Sequence, residues 1–219
     1  MKLFYISIIL LLVSCTSSKK NIVDDSYNHN SFIDSINIGI PTRNMLKISQ
    51  IEKNNNINVF IEFYKKEREN WKLIQSQYLS KESNIPLLTE MNDFNNDGFL
   101  DFTIHYSTAG RGANDLRKLF IFKPERNNFV EIINSDNYSN LSYNSRLDCI
   151  TSLSVYGGST THFLNLENDM LNEFAQVSYN NGKASSYEVK NDSLNLLFEI
   201  NYDSDNEMIL FKNYDPIEE

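Results

Sequence analysis

The chain has 219 residues, 29 of them Asp or Glu against 20 Lys or Arg, for a net charge of −9. That length supports one domain with a sizeable core. The acidic balance argues against nucleic acid as a partner, because phosphate backbones are bound by Lys and Arg, and in favour of a basic partner, if any.

At the start of the chain, Met1-Lys2 forms a short basic region, Leu3–Val13 an apolar run, and Leu12-Val13-Ser14-Cys15 ends it in small residues before a cysteine. The run is too short to span a bilayer, which takes roughly 20 residues, so residues 1–14 read as a signal peptide. The ending resembles the lipobox of bacterial lipoproteins, in which cleavage precedes the cysteine and that cysteine is lipidated. The competing reading is an ordinary secretory peptide with a coincidental cysteine. The resemblance implies a Cys15 carrying diacyl or palmitate-type chains, and two or more acyl chains suffice for stable anchoring. Loss of Lys2 leaves 19 basic against 29 acidic residues, a net charge of −10. Thr16–Asn30 is rich in Ser, Lys, Asn and Asp, so residues 15–30 read as a flexible tether and residues 31–219 as a single β-rich domain. Thr16-Ser17-Ser18-Lys19-Lys20 lacks an acidic run resembling a surface-export signal, so the expected address is the cell envelope, on the outer membrane facing the periplasm.

Past the tether the pattern is of strands. Ile57, Val59, Ile61 and Phe63 alternate along Asn56–Lys65, and the polar tract Lys66–Asn70 turns the chain into Trp71–Ile74, which predicts a hairpin. Leu119–Phe122 and Phe129–Ile133, joined through Pro124–Asn128, predict another. Ser152–Tyr156, Thr161–Leu166, Leu171–Tyr179, Ser185–Lys190, Leu194–Tyr202 and Met208–Phe211 continue the series, with turns at Gly157-Gly158, Asn168-Asp169 and Asn180-Asn181-Gly182. Such spacing predicts an all-β fold of antiparallel hairpins, propeller-like or sandwich-like. Ser31–Ile51 has no clear pattern, and Asp136–Leu141 admits a short helix. Cys149 lies in the apolar run Leu147–Val155 and reads as a small buried hydrophobe.

Between the first hairpins, Asp93-Phe94-Asn95-Asn96-Asp97-Gly98-Phe99-Leu100-Asp101 places oxygen side chains at positions 1, 3, 5 and 9, with glycine at position 6. A hard cation takes six to eight oxygen ligands. Asp93, Asn95, Asp97 and Asp101 could supply side-chain oxygens and Phe99 its carbonyl. Position 12 is Ile104, and the flanks Ile85–Leu88 and Phe99–Tyr106 read as extended, which excludes a helix–loop–helix calcium sensor. Two readings stand: a structural Ca2+ loop between strands, or a metal-free turn whose Asp and Asn side chains bond their own backbone.

This loop, followed by Gly110-Arg111-Gly112-Ala113-Asn114, the Lys118–Phe122 strand, the Pro124 turn, the Phe129–Ile133 return and a later pair at Thr161–Leu166 and Leu171–Val177, resembles the periplasmic lysozyme-inhibitor and immunity lipoproteins with a β-propeller-like fold and an FG-GAP-like calcium loop. The similarity covers about Ile85–Tyr179. It implies a structural Ca2+ held by Asp93, Asn95, Asp97, Phe99 and Asp101, and a non-catalytic protein that inhibits a lysozyme-like or other peptidoglycan hydrolase as an immunity protein.

A glycosidase cleft presents two carboxyl groups, and an inhibitor must offer them hydrogen-bond donors from a rigid loop. Ser107–Asn114 offers the Arg111 guanidinium, suited to bidentate carboxylate recognition, and Tyr156–His162 offers Tyr156, hydroxyls and His162. As competing readings, the first loop simply routes the chain onward and the second is a plain glycine hairpin. His29, His105 and His162 have no zinc-ligand spacing, and no Gly-x-Ser-x-Gly elbow, P-loop or dinucleotide fingerprint occurs. Catalysis is therefore not expected. The alternative function is a calcium-stabilised, non-catalytic binding module of an envelope complex.

Overall fold

The computed structural model describes residues 28–53, 56–81, 85–191 and 193–219. The signal peptide, Cys15 and residues 15–27 of the expected tether lie outside the described residues. The first strand opens at Asn28, three positions before the expected domain boundary at Ser31. The described residues form antiparallel sheets in chain order, with no closed barrel. No helix among them is long and apolar enough to cross a membrane.

The first sheet is a meander of β1 (Asn28–Asp34), β2 (Asn44–Lys53), β3 (Asn56–Glu67) and β4 (Asn70–Lys81). Ser31–Ile51, patternless in sequence, supplies two of its strands, since β1 pairs with β2 from Asn28↔Glu52 to Asp34↔Leu46. In β3, Ile57, Val59, Ile61 and Phe63 are all buried, as alternation requires of a strand with one face on a core. The β3–β4 turn is tighter than the polar tract suggests, because Glu67 and Asn70 still pair across it.

The second sheet comprises β5 (Thr89–Asn92), β6 (Asp101–Ala109), β7 (Asn114–Lys123) and β8 (Asn128–Glu131). Its central feature is β7, which is buried on both faces, and this explains its unbroken run Leu119-Phe120-Ile121-Phe122. Phe120 and Phe122 face the first sheet in a cluster with Leu46, Ile48, Val59, Phe63, Phe102 and Phe129. Phe102 stacks on Phe120 at 4.7 Å between ring centroids, and Phe129 meets Phe63 edge-on at 4.9 Å. Leu119 and Ile121 point the other way, to Phe94, Ile132, Ile150, Leu164 and Leu171 of a second cluster.

That second cluster joins β7 to the third sheet, built from β9 (Ser142–Asn144), β10 (Cys149–Val155), β11 (Ser159–Glu167), β12 (Met170–Asn180), β13 (Lys183–Lys190) and β14 (Ser193–Asn201). Its hairpins turn where the sequence predicts. Asn168-Asp169 and Asn181-Gly182 all take positive φ, the type I′ geometry that matches strand twist. Gly158 is required by close approach, since a Cβ there would lie 2.5 Å from the Tyr179 carbonyl oxygen.

Two expectations fail locally. Asp136–Leu141 holds no α-helix, only a 3-10 turn at Ser135–Asn137, because Ser139 and Asn140 are drawn outward to bond neighbouring strands. Met208–Phe211 is not a strand. It lies across the outer face of the third sheet, with Ile209 and Phe211 buried beside Phe163, Val177 and Ala184. Hydroxyls replace a ladder there: the Ile209 N–H donates to Ser159 Oγ (3.1 Å), and Thr161 Oγ1 donates to the Ile209 carbonyl (3.1 Å) while accepting from the Phe211 N–H (3.0 Å). The chain then closes in the small hairpin β15 (Asn213–Tyr214) and β16 (Ile217–Glu218). Thr161→Val removes both hydrogen bonds of one buried hydroxyl. At about 1–3 kcal/mol for each buried group left unpaired, it should destabilise the fold by about 2–4 kcal/mol in chemical denaturation, with faster hydrogen exchange at the Phe211 amide.

Candidate functional site

The loop Asp93–Asp101 joins β5 to β6 and is closed by its own carboxylates. Asp93 accepts the N–H groups of Asp97 (3.2 Å) and Gly98 (2.8 Å). Asp97 accepts the Phe99 N–H at 2.9 Å and the Asn95 side-chain amide at 2.9 Å. Gly98 sits at φ +85°, a conformation side chains rarely adopt. Asn96 donates to Asp148 (3.3 Å), which also accepts the Tyr143 hydroxyl (2.7 Å), so the loop is tied to the third sheet. That bond pushes the Tyr143 hydroxyl up to about 12.

Asp101 has a duty that spacing does not reveal. It is fully buried, and its oxygens accept the Phe94 N–H (2.8 Å) and the Phe122 N–H (2.9 Å), joining loop, β6 and β7 through one carboxylate. Burial raises its pKa to about 7 from the usual 3.8; the two N–H donors pull it down, and Asp97 and Asp93 push it further up.

Among the described residues no three His, Cys, Asp or Glu side chains are grouped to share a metal. One observation does fit a cation: Asn95 Oδ1 is buried without a hydrogen-bond partner, between Asp93 and Asp97 in sequence. An orphaned acceptor of this kind requires a reason, and a set of oxygen donors suits a hard cation. Asp93, Asn95 and Asp97 are oxygen donors of the kind such an ion takes, and Asp93 and Asp97, like Asp101, accept an N–H group with each of their oxygens, the closure that a metal-free Asx turn also makes.

The two loops singled out for partner contact converge. The β6–β7 connection narrows to Gly110–Ala113, with Arg111 exposed at its tip in the left-handed region (φ 57°, ψ 32°). The β10–β11 connection is Tyr156-Gly157-Gly158, and Tyr156 is 60% exposed. Gly110, Arg111, Val155, Tyr156 and Gly157 line one open cleft of about 440 Å³. Asn114 holds the two tips together, donating to the Val155 carbonyl (2.9 Å) and accepting the Val155 N–H (2.8 Å). Glycine suits position 110, which sits at φ +58° and where a Cβ would lie 2.6 Å from the Asn114 side-chain nitrogen and 3.3 Å from the Val155 carbonyl oxygen. The Tyr156 hydroxyl is braced 2.9 Å from Thr160 Oγ1.

His162 is not at this tip. It is partly buried on the face of the third sheet turned toward Tyr138, with Nδ1 2.9 Å from Glu173 Oε1 and Nε2 3.2 Å from Ser154 Oγ. An ionised carboxylate only accepts, so Nδ1 carries the proton and, in the neutral ring, Nε2 accepts from the hydroxyl. This is the order of a nucleophile–base–acid triad, but a hydrolase also needs donors aimed at the developing oxyanion. Of the donors near Ser154, the Val155 N–H bonds Asn114 and the Ser139 hydroxyl bonds the Leu153 carbonyl at 2.8 Å. Glu173, Ser154 and Asn114 escaped the sequence reading because each acts across strands. His105 lies on β6, with Nε2 3.3 Å from Asp115 Oδ1. Cys149 is buried, and burial pushes its thiol up to about 11, away from the reactive thiolate.

No protein-family model matches the chain, and no curated protein matches it. A solved structure described as that of a Xanthomonas Type IV secretion system related protein is similar over 77% of this chain and 93% of its own, at 14% identity and a TM-score of 0.48.

Asp101 sets a pH dependence. Its folded pKa lies above the unfolded one, so its contribution is fully present below about pH 4 and is lost as pH rises to about 7. With divalent cations chelated, stability should fall by a few kcal/mol over that window relative to Asp101→Asn, a difference readable from denaturation midpoints.

Proposed function

We propose that this chain is an envelope lipoprotein, anchored through Cys15, that binds and inhibits a peptidoglycan-cleaving, lysozyme-like enzyme as an immunity protein. The observation that carries the reading is the convergence of Arg111 and Tyr156 on one tip braced by Asn114. A guanidinium beside an exposed aromatic on a constrained loop pair suits a cleft whose catalytic groups are carboxylates. Neither tip residue performs chemistry in this reading; they fill the cleft and engage its acids. The negative charge of the chain favours encounter with a basic hydrolase, with an on-rate that falls as salt rises.

In the same reading a structural Ca2+ is held by Asp93, Asn95, Asp97 and the Phe99 carbonyl, with Asp101 completing the loop. The ion would offset repulsion among the loop carboxylates. The loop's own residues fix the turn and its attachment to β7.

The test is residual cell-wall lysis by a panel of peptidoglycan hydrolases with the purified chain added. Stoichiometric loss of activity of one enzyme is expected, and Arg111→Ala and Tyr156→Ala should each weaken inhibition by at least about tenfold, the scale of a central contact. If no hydrolase is bound, inhibition fails and a non-catalytic envelope binding module remains. Separately, a chelator should lower the melting temperature and Asp97→Ala should reproduce the effect. An unchanged melting curve in excess chelator rules out the structural ion.

A further inference from the structure

The segment between β8 and β9 crosses one face of the third sheet and is pinned there by Asn134, whose amide donates to the Leu171 carbonyl (2.8 Å) and accepts the Leu171 N–H (2.8 Å). Tyr138 follows, meeting His162 edge-on at 6.0 Å between ring centroids. Between this segment and strands β12–β14 lies an open cleft of about 600 Å³, within the roughly 300–1,000 Å³ of small-molecule sites. Tyr138, Val189, Met170 and Leu194 give it apolar walls, the last two 40% and 54% exposed.

A bulge brings the polar groups of the cleft together. His162 pairs with Gln176 but Leu164 with Glu173, so the register slips by one between them. Strict alternation would put Glu173 and Gln176 on opposite faces, whereas the bulge turns both to the face of His162. Among the described residues Glu173 is the one charged side chain in the lining, and no Lys or Arg joins it. Its carboxylate is 20% exposed; His162 Nδ1 engages Oε1 at 2.9 Å, and among the described residues no group bonds Oε2. Burial, and after it the charge of Glu173, holds the Tyr138 hydroxyl above its usual range, so the phenol stays neutral.

We propose that this cleft binds an alkylammonium ion of the lysine or diamine type, with the ammonium on Glu173 and the Gln176 amide oxygen and the alkyl chain along Val189 and Leu194. A half-buried carboxylate with no cationic partner attracts a cation through charge-assisted hydrogen bonds. A neutral His162 orients that carboxylate without cancelling its charge. The Tyr138 ring favours a cation beside it, and the apolar walls take the methylenes. An anionic ligand would meet Glu173 with no guanidinium or ammonium to offset it. The cleft shares no lining residue with the Arg111–Tyr156 tip, so its ligand does not depend on the proposed inhibition.

The experiment is titration of the whole chain with 1,5-diaminopentane and with Nα-acetyl-lysine amide, followed by calorimetry and by NMR of backbone amides. Saturable binding is expected, with shifts centred on β12 and β13 and an affinity at least about tenfold above that for Nα-acetyl-norleucine amide, which lacks the ammonium. Both amines carry the same chemistry; tighter binding of the first supports a free diamine as the ligand, and of the second a lysyl side chain. Glu173→Gln keeps an oxygen for His162 and should weaken binding about tenfold. Leu194→Lys, at an exposed position, places a competing ammonium at the cleft and should do the same with an unchanged circular dichroism spectrum, which keeps the test valid if Glu173→Gln fails to fold. No saturable binding, equal binding of the norleucine amide, shifts away from β12 and β13, or an affinity that survives either substitution overturns the proposal.

Discussion

One buried carboxylate connects the parts of this molecule that matter most for its proposed role. Asp101 accepts the N–H of Phe94 on one side and that of Phe122 on the other. Phe122 faces the cluster between the first and second sheets, while Phe94 belongs to the cluster between the second and third. Loop closure and packing of both cores therefore meet at a single side chain. Burial of an acid is costly unless its oxygens are bonded, and here both are. Through Asp101, closure of the loop is linked to the β6–β7 pairing and to the packing of both cores.

β7 extends that coupling through the fold. A strand with apolar side chains on both faces cannot sit at a surface, so sheets must cover it on each side. The first and third sheets do so. Where their packing ends, polar groups take over: Asn114, Ser139, Asn140, Ser154, His162 and Glu173 bond across strands and to the connecting segment. A half-buried polar network of this kind confers rigidity when its members are satisfied. It holds the Arg111 and Tyr156 tips against each other, and a partner meeting rigid loops loses less ordering entropy on binding.

The C-terminal segment shows another way to cover a sheet. Ile209 and Phe211 bury their side chains on the third sheet without joining a ladder, because Ser159 and Thr161 present hydroxyls to their backbone. Among the described residues β14 has no such cover, and Leu194, Leu196, Leu197 and Ile200 are exposed.

Much of this was legible in the chain itself. Period-two alternation in Ile57–Phe63, the Asn168-Asp169 and Asn181-Gly182 turns, and the unbroken Leu119–Phe122 run follow from local geometry and burial, and they define an antiparallel all-β fold. The spacing of Asp93, Asn95, Asp97 and Asp101 likewise marked the loop, because turn closure by Asx side chains is a local matter. The sequence did not show that Asp101 serves β7, that Asn114 joins Arg111 to Tyr156, or that His162 turns inward to Glu173. Each depends on residues brought together by strand pairing, from 8 positions apart for Ser154 and His162 to 41 for Asn114 and Val155. Met208–Phe211 reads as a strand by composition, yet the tertiary structure lays it across a sheet face, because hydroxyl partners there satisfied its backbone without an edge.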